Sequence, residues 1–354
     1  MSALRFLALD GDGIGPEITG SALSVLDAAA PALGRPVTVS REVIGFDALH
    51  AEGTTIPHRV IDAARACDGV LLGPVSHNSY PPREEGGLNP SGVLRKALDL
   101  HANIRPSRTW PGLEAPIRKS VDLVVVRENL EGFYADRNMH LGPGEFMPVP
   151  GVALAVRRIT EAASRKIAET AFDLAMARPR RRVTAVHKAN VMRVSDGLFL
   201  DTVRDVADRY PDIAYDELLV DAAAAHLVRS PDRFDVIVTT NMFGDILSDL
   251  ASELSGGLGL AGSLNVGAQH AAAQAQHGSA PDIAQQDRAN PVSMILSLAM
   301  LLRHLGERQA ADVIETTVGA ALTETRRRTA DLGGSLGTAE FTTHLVARIS
   351  KRLV

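Results

Sequence analysis

Cysteine occurs once in the 354 residues, at Cys67, which excludes an intramolecular disulfide and leaves a zinc–thiolate site without a ligand set. Tryptophan also occurs once, and aromatic residues make up 4% of the chain, too few to stack a run of bases. Charge of one sign is not in excess either: the formal net charge of -5 gives no pull toward nucleic acid or an anionic membrane. The one basic run, ARPRRRV at Ala177–Val183, joins a helical pattern to a strand pattern and reads as a solvated loop. Long apolar runs are missing. The longest, MILSLAMLL near the C-terminus, falls short of the roughly 20 residues of a membrane-spanning helix, and the opening MSALRFLALD carries no basic n-region or apolar h-region. These absences predict a protein of the reducing cytoplasm with no nucleic acid and no membrane as partner.

What is present is the composition of a globular protein, 45% hydrophobic and 22% charged, at a length that accommodates two domains. The runs VTVSREVI, GVLLGPV, VDLVVVREN, RVTAVHKAN and FDVIVTTN read as strands, and amphipathic segments lie between them. In SRKIAETAFDLAMA the residues Ile167, Ala171, Leu174 and Ala175 recur at helical spacing. Such alternation predicts an α/β architecture with substantial parallel sheet. Gly and Pro punctuate MHLGPGEFMPVPGVAL, Met139–Leu154, which reads as a projecting loop or arm.

The stretch FLALDGDGIGPEI sets Gly11, Gly13 and Gly15 between a strand and a helix, the position of a dinucleotide-binding fingerprint. Pro16 takes the place of the third glycine, and Asp10 and Asp12 add negative charge without a basic residue in the loop. A tight strand-to-helix turn with proline in the first helical turn fits better. A dinucleotide would have to be held elsewhere.

Candidate chemistry collects in three places. Asp245 and Asp249 in NMFGDILSDL stand at i and i+4 on a helix whose other face is expected to carry Ile246, Leu247, Leu250 and Leu254. Two acids at that spacing repel unless a cation lies between them, and with Asp221, expected at the end of a strand in ELLVDAAAAHLV, they offer oxygen ligands for Mg²⁺ or Mn²⁺. Two solvated acids on a surface helix would read the same way. Lys188 and Asn190 follow an apolar strand in HKAN, where α/β proteins gather their chemistry, and a lysine beside a divalent cation is suited to act as a base. His187, His226 and His277 stand at no metal spacing and read as structural. Arg95, Arg105 and Arg127 each follow or end an apolar segment and could clamp carboxylates. Together the sets suit a di- or tricarboxylate.

These motifs resemble the isocitrate/isopropylmalate dehydrogenase family of metal-dependent β-decarboxylating dehydrogenases, which act on isocitrate, homoisocitrate, 3-isopropylmalate and tartrate or D-malate. GDGIGPE, LRKALDLHANIRP, VVVRENLEGFY, HKAN, NMFGDILSDL, HGSAPDIA and RTADLGGSLGTAEF appear in family order nearly end to end. The resemblance implies an isopropylmalate dehydrogenase-like two-domain α/β fold with a mixed parallel and antiparallel sheet, not a Rossmann fold. Its first domain would be discontinuous, 1–101 and 256–354, and bind the cofactor. The second, 102–255, would make a homodimer with shared active sites. Carried over by position, Arg95, Arg105 and Arg127 bind substrate with Asn89, Ser91 and Asn190, Tyr134 and Lys188 are the catalytic pair, and Asp221, Asp245 and Asp249 hold Mg²⁺ or Mn²⁺. NAD would lie against His277, Gly278, Ser279, Ala280, Asp282, Ile283 and Asn290. NADP-using members tend to carry Lys-Tyr at Asp282 and Ile283, so the chain is expected to use NAD, although Asp282 could simply cap the following turn. The reaction implied is NAD-dependent oxidative decarboxylation of a (2R)-configured 3-substituted malate to a 2-oxo acid and CO₂.

Departures from the family pattern bear on the substrate. RENLEGFY is closer to the isocitrate and homoisocitrate branch, with Leu130 for its threonine, and Asn89 and Ser91 stand where an isopropylmalate enzyme presents leucines. Gln274–Gln276, QAQ, replaces the usual EPV beside the cofactor loop. 3-Isopropylmalate and tartrate or D-malate remain alternative substrates. A non-catalytic regulatory subunit is the alternative of another class, and the intact catalytic positions speak against it.

Overall fold

The computed structural model describes residues 2–134, 139–142 and 144–353. Its strands β1 (Leu4–Leu9), β2 (Val37–Glu42), β3 (Gly69–Leu72), β4 (Ala102–Arg108), β5 (Asp122–Glu128), β6 (Glu145–Val149), β7 (Val152–Ala155), β8 (Arg182–His187), β9 (Ala214–Leu219), β10 (Val236–Thr239), β11 (Leu264–Val266) and β12 (Ala271–Gln274) alternate with helices. The helices are α1 (Gly15–Ala29), α2 (Phe46–Glu52), α3 (His58–Ala66), α4 (Pro90–Ala97), α5 (Glu161–Met176), α6 (Ser195–Ala207), α7 (Val220–Arg229), α8 (Asn241–Ser255), α9 (Val292–His304), α10 (Arg308–Leu322) and α11 (Thr338–Leu353). Ten strands form one sheet in the order β2-β1-β3-β12-β11-β4-β5-β10-β8-β9. The outer strands pair in parallel, whereas β12–β11, β11–β4 and β4–β5 are antiparallel. The expected mixed sheet is therefore present, and its parallel halves run in opposite directions because three antiparallel pairs lie between them.

Alternation along β4, ANIRPSR, decides what the centre of the sheet offers. Asn103, Arg105 and Ser107 point to the face covered by α8, and Ile104 packs against the main core on the other side. Helix α8 turns Leu247, Ala251 and Leu254 inward, and Gly244 lets it come close, since a Cβ there would lie 2.6 Å from the Arg127 side chain. Ile246 departs from expectation. It is 58% exposed, about a quarter of a turn off the packing face.

The glycine turn fits its sequence reading and has a definite partner. The Asp12 amide donates to Pro74 O at 2.8 Å, and the Ile14 amide to Ser279 O at 2.8 Å. Gly13 has φ +58, and a Cβ there would lie 2.0 Å from Ser279 O, so only glycine allows the turn to close on the loop at 277–284. Asp12 is buried and accepts from the amides of Phe46 and Ser76, each at 2.8 Å, and from Tyr80 Oη. Its charge ties three segments together.

The segment read as a projecting arm is more regular than expected. β6 and β7 form a separate two-stranded sheet, reversing at Pro150 and Gly151, where φ is +83. Phe146, Met147, Val149, Val152 and Leu154 are all exposed on it. Proline is tolerated because both strands are edges.

Candidate active site

A cavity of about 320 Å³ opens over the antiparallel centre of the sheet, lined in part by Asn89, Ser91, Arg95, Arg105, Arg127, Tyr134 and Asp245. Each arrives from a different local cause. Asn89 caps α4 by accepting from the Gly92 amide at 3.3 Å, and Ser91 and Arg95 follow on the buried side of that helix. Arg105 comes from β4, Arg127 from the end of β5, and Asp245 from the second turn of α8.

The charged side chains interlock. Arg127 is 2% exposed and donates to both Asp245 and Tyr134 Oη, the latter at 2.8 Å, while Tyr134 Oη donates to Asp245 Oδ2 at 2.9 Å. Asn241 holds Arg127 from behind, accepting from Nε at 2.9 Å and Nη2 at 2.7 Å. Arg105 Nη1 donates to Ser248 Oγ at 2.8 Å and Asp249 Oδ1 at 3.0 Å, with Asp245 Oδ1 at 3.3 Å. Burial and the neighbouring Arg127 charge bring the Arg105 guanidinium down to about 10. For Asp245, burial pushes upward, but Arg127, Arg105 and the Tyr134 hydrogen bond outweigh it and hold the carboxyl below its ordinary range.

Lys188, Asn190 and Asp221 lie in another group. Lys188 Nζ donates to Asp221 Oδ1 at 2.6 Å, and this hydrogen bond lowers the Asp221 carboxyl. Asn190 is exposed beside them. Asp221 does not end the strand as expected but sits in the first turn of α7, two residues past the end of β9. Among the described residues no three acids, histidines or cysteines group as metal ligands within one chain. Asp245 and Asp249 nonetheless suit Mg²⁺ or Mn²⁺, because such an ion takes one or two carboxylates and completes its shell with water or substrate oxygens. Asp196 is a residue the sequence reading missed. Fully buried in α6, it accepts from the Lys188 amide at 2.6 Å and pairs with Arg157, so it fixes the backbone that carries Lys188.

The expected cofactor residues divide by position. His277 and Gly278 line the cavity, and burial lowers the His277 imidazole. Ser279 faces the glycine turn, its Oγ 2.7 Å from Ser76 Oγ. Ala280 adopts φ +37, and Asp282 and Ile283 form a short turn with Asp282 exposed. Asn290 is buried, donating to Asp331 Oδ2 at 2.9 Å. Gln274 and Gln276 belong to the cavity as well. Gln276 Nε2 donates to Asp249 Oδ1 at 3.0 Å; QAQ marked these residues in the sequence without saying which way they face.

A family model described as isocitrate/isopropylmalate dehydrogenase matches residues 6–345. An isocitrate/homoisocitrate dehydrogenase of Thermus thermophilus is 41% identical over 344 residues, covering 97% of this chain and 98% of its own length. A 3-isopropylmalate dehydrogenase of Archaeoglobus fulgidus is 42% identical over 337 residues, covering 95% and 97%. The crystal structure of isocitrate dehydrogenase from Methylococcus capsulatus superposes with a TM-score of 0.89 at 40% identity, covering 98% of this chain and 99% of that one. Matched almost from end to end in sequence and in fold, this chain belongs to the isocitrate/isopropylmalate dehydrogenase family.

Proposed function

We propose that the protein is an NAD- and Mg²⁺- or Mn²⁺-dependent dehydrogenase that oxidatively decarboxylates a (2R)-configured 3-substituted malate of the isocitrate or homoisocitrate kind. The observation that carries this reading is the convergence of Arg95, Arg105 and Arg127 on one cavity with Tyr134 and Asp245. Three guanidinium groups bind carboxylates through paired hydrogen bonds and fix the hydroxyl-bearing carbon between them. A cation at Asp245 and Asp249, when bound, supplies the charge that favours ionisation of the 2-hydroxyl, and the dinucleotide supplies the hydride acceptor. Lys188 takes the hydroxyl proton. Tyr134 Oη, held by Arg127, delivers a proton to the carbon that loses CO₂.

No lysine is among the described residues that line the cavity, so in this reading Lys188, Asn190 and Asp221 serve the site of a second copy. Exposed Val191, Val194 and Ile246 and the apolar β6–β7 hairpin supply a surface for such a homodimer. The strand order supports domains at 1–101 with 256–354 and at 102–255, because β1–β3, β11 and β12 make one half of the sheet and β4, β5 and β8–β10 the other. NAD agrees with relatives named as NAD isocitrate dehydrogenase subunits. One of them is named a regulatory subunit; the presence of Arg95, Arg105, Arg127, Tyr134 and Asp245 in the cavity, and of Lys188 in the chain, favours catalysis here. Initial rates with isocitrate, homoisocitrate, 3-isopropylmalate, D-malate and tartrate, with Mn²⁺ and NAD, test the reading. Turnover that stops on chelation and in Asp245→Asn is expected. Activity untouched by both would remove the metal role, and no turnover of any compound would remove the dehydrogenase reading.

A further inference from the structure

A second cavity, of about 250 Å³, lies on the opposite face of the sheet from the first. Alternation along β4 separates the two. Asn103, Arg105 and Ser107 face α8, while Ile104, Pro106 and Arg108 line the rear cavity. Val124 of β5, Leu174 of α5 and Leu296 and Met300 of α9 complete an apolar wall. No residue lining this cavity has a part in the reaction proposed above.

Trp110, the only tryptophan of the chain, lines the rear cavity and is 5% exposed. Its ring edge at Cε3 and Cζ3 packs on Gly319 of α10, where a Cβ would lie 3.1 Å from Cζ3, so the edge that bears the indole N–H is turned the other way. A buried indole N–H ordinarily has a partner. Among the described residues this one donates to no acceptor.

Arg108 lies over the same ring, its Cζ 3.9 Å from the centroid. Three arginines stand at the cavity, and two of them are neutralised. Arg178 pairs with Asp122 and Asp235, and Arg303 with Asp312 and Glu315. Asp122 is the cross-strand neighbour of Arg108, yet Arg178 takes its carboxylate at 2.8 Å. Among the described residues the Arg108 guanidinium forms no ion pair and no hydrogen bond. One unpaired cation and one unpaired N–H therefore meet at Trp110, beside an apolar wall.

We propose that the rear cavity is a binding site for a small apolar monocarboxylate, its carboxylate on Arg108 and the Trp110 N–H and its body against Leu174, Leu296 and Met300. A carboxylate accepts from both groups. A guanidinium already held on an indole face loses little freedom when it binds one, and the apolar body gains by leaving water. Size sets a limit: a cavity of about 150 Å³ holds benzene, so this one suits a body of roughly eight carbons and excludes a dinucleotide. A di- or tricarboxylate would set a second charge against the apolar wall. The two cavities thus sort anions by what surrounds the carboxylate.

Octanoate is the probe, and the single tryptophan makes its binding visible where it occurs. Titration of the full chain with octanoate, followed by Trp110 emission and by calorimetry, is expected to give saturable binding with Kd of about 1 mM or less. Acetate at the same concentrations should change nothing, since it lacks the body. Arg108→Gln should weaken octanoate by about fivefold or more. No saturable response, an equal response to acetate, or a loss smaller than fivefold in Arg108→Gln overturns the proposal. Calorimetric binding that leaves Trp110 emission unchanged also overturns it, because octanoate would then sit elsewhere. If Arg108→Gln does not fold, Arg108→Met, whose apolar stem can still cover the indole, is held to the same threshold.

Discussion

Asp282 is the residue on which the proposed choice of dinucleotide turns. It stands on an exposed turn at Pro281–Ile283, and among the described residues its carboxylate accepts no hydrogen bond, so capping of that turn is not its role. An exposed carboxylate can accept from a ribose 2′-hydroxyl and repels a 2′-phosphate. The wild type should therefore favour NAD over NADP in kcat/KM by more than about tenfold, which needs only about 1.4 kcal/mol. Asp282→Lys with Ile283→Tyr should narrow the gap. Equal efficiency with the two dinucleotides in the wild type would leave Asp282 without this role. Motif residues of this sort are legible because their chemistry is local: Arg95, Arg105, Arg127, Tyr134 and Asp245 do meet in one cavity. Asn241 and Asp196 were not legible, and Gln274 was marked only as a departure, because neutral amides and a buried acid show their purpose only through their partners in the folded chain.

At the scale of elements, β5 ends in a group that makes stability depend on pH. Glu128 is 3% exposed and accepts from the amides of Leu130 at 2.7 Å and Glu131 at 3.0 Å. Burial pushes its carboxyl from 4.5 up to about 7. Between those values the folded chain keeps a proton that the unfolded chain has released. Stability contributed by this group is thus full at about pH 4.5, declines as pH rises toward 7, and changes no further above it, a loss on the order of 3 kcal/mol. Urea unfolding at pH 5 and pH 8 should show the decline in the wild type and a flatter dependence in Glu128→Gln. A decline of equal size in both proteins would assign it to other groups. Strands β2, β3, β5, β8 and β10 were readable from their β-branched runs and the helix α5 from its spacing, since both signals are periodic and strong; β4, β11 and β12, which carry no such runs, were not. Two elements misled. The β6–β7 hairpin hides behind its prolines, and Ile246 is apolar yet exposed, because a pattern along one chain cannot separate a face that packs inward from one that meets another molecule.

For the whole molecule, the separation of Lys188 and Asp221 from the cavity predicts that a working site needs two chains. Lys188→Ala and Asp245→Asn homodimers should each be inactive. Mixed under conditions that exchange subunits, they should recover up to about a quarter of wild-type activity, since half of the dimers are hybrids and one of the two sites in each hybrid carries neither lesion. Hybrids that form and stay inactive would place the base within its own chain.

The contact of Gly13 with Ser279 bears on how this protein could be re-engineered. Three segments remote in sequence, at 10–16, 73–76 and 277–284, share backbone hydrogen bonds, a serine pair and a gap that no side chain can enter. A loop transplanted from a relative to change the dinucleotide meets a fixed mould, and a donor loop whose backbone sits differently at position 279 will fail even if every side chain that faces the ligand is right. The transferable module is the trio of segments, and directed evolution of the loop alone explores only the shapes that one glycine already permits.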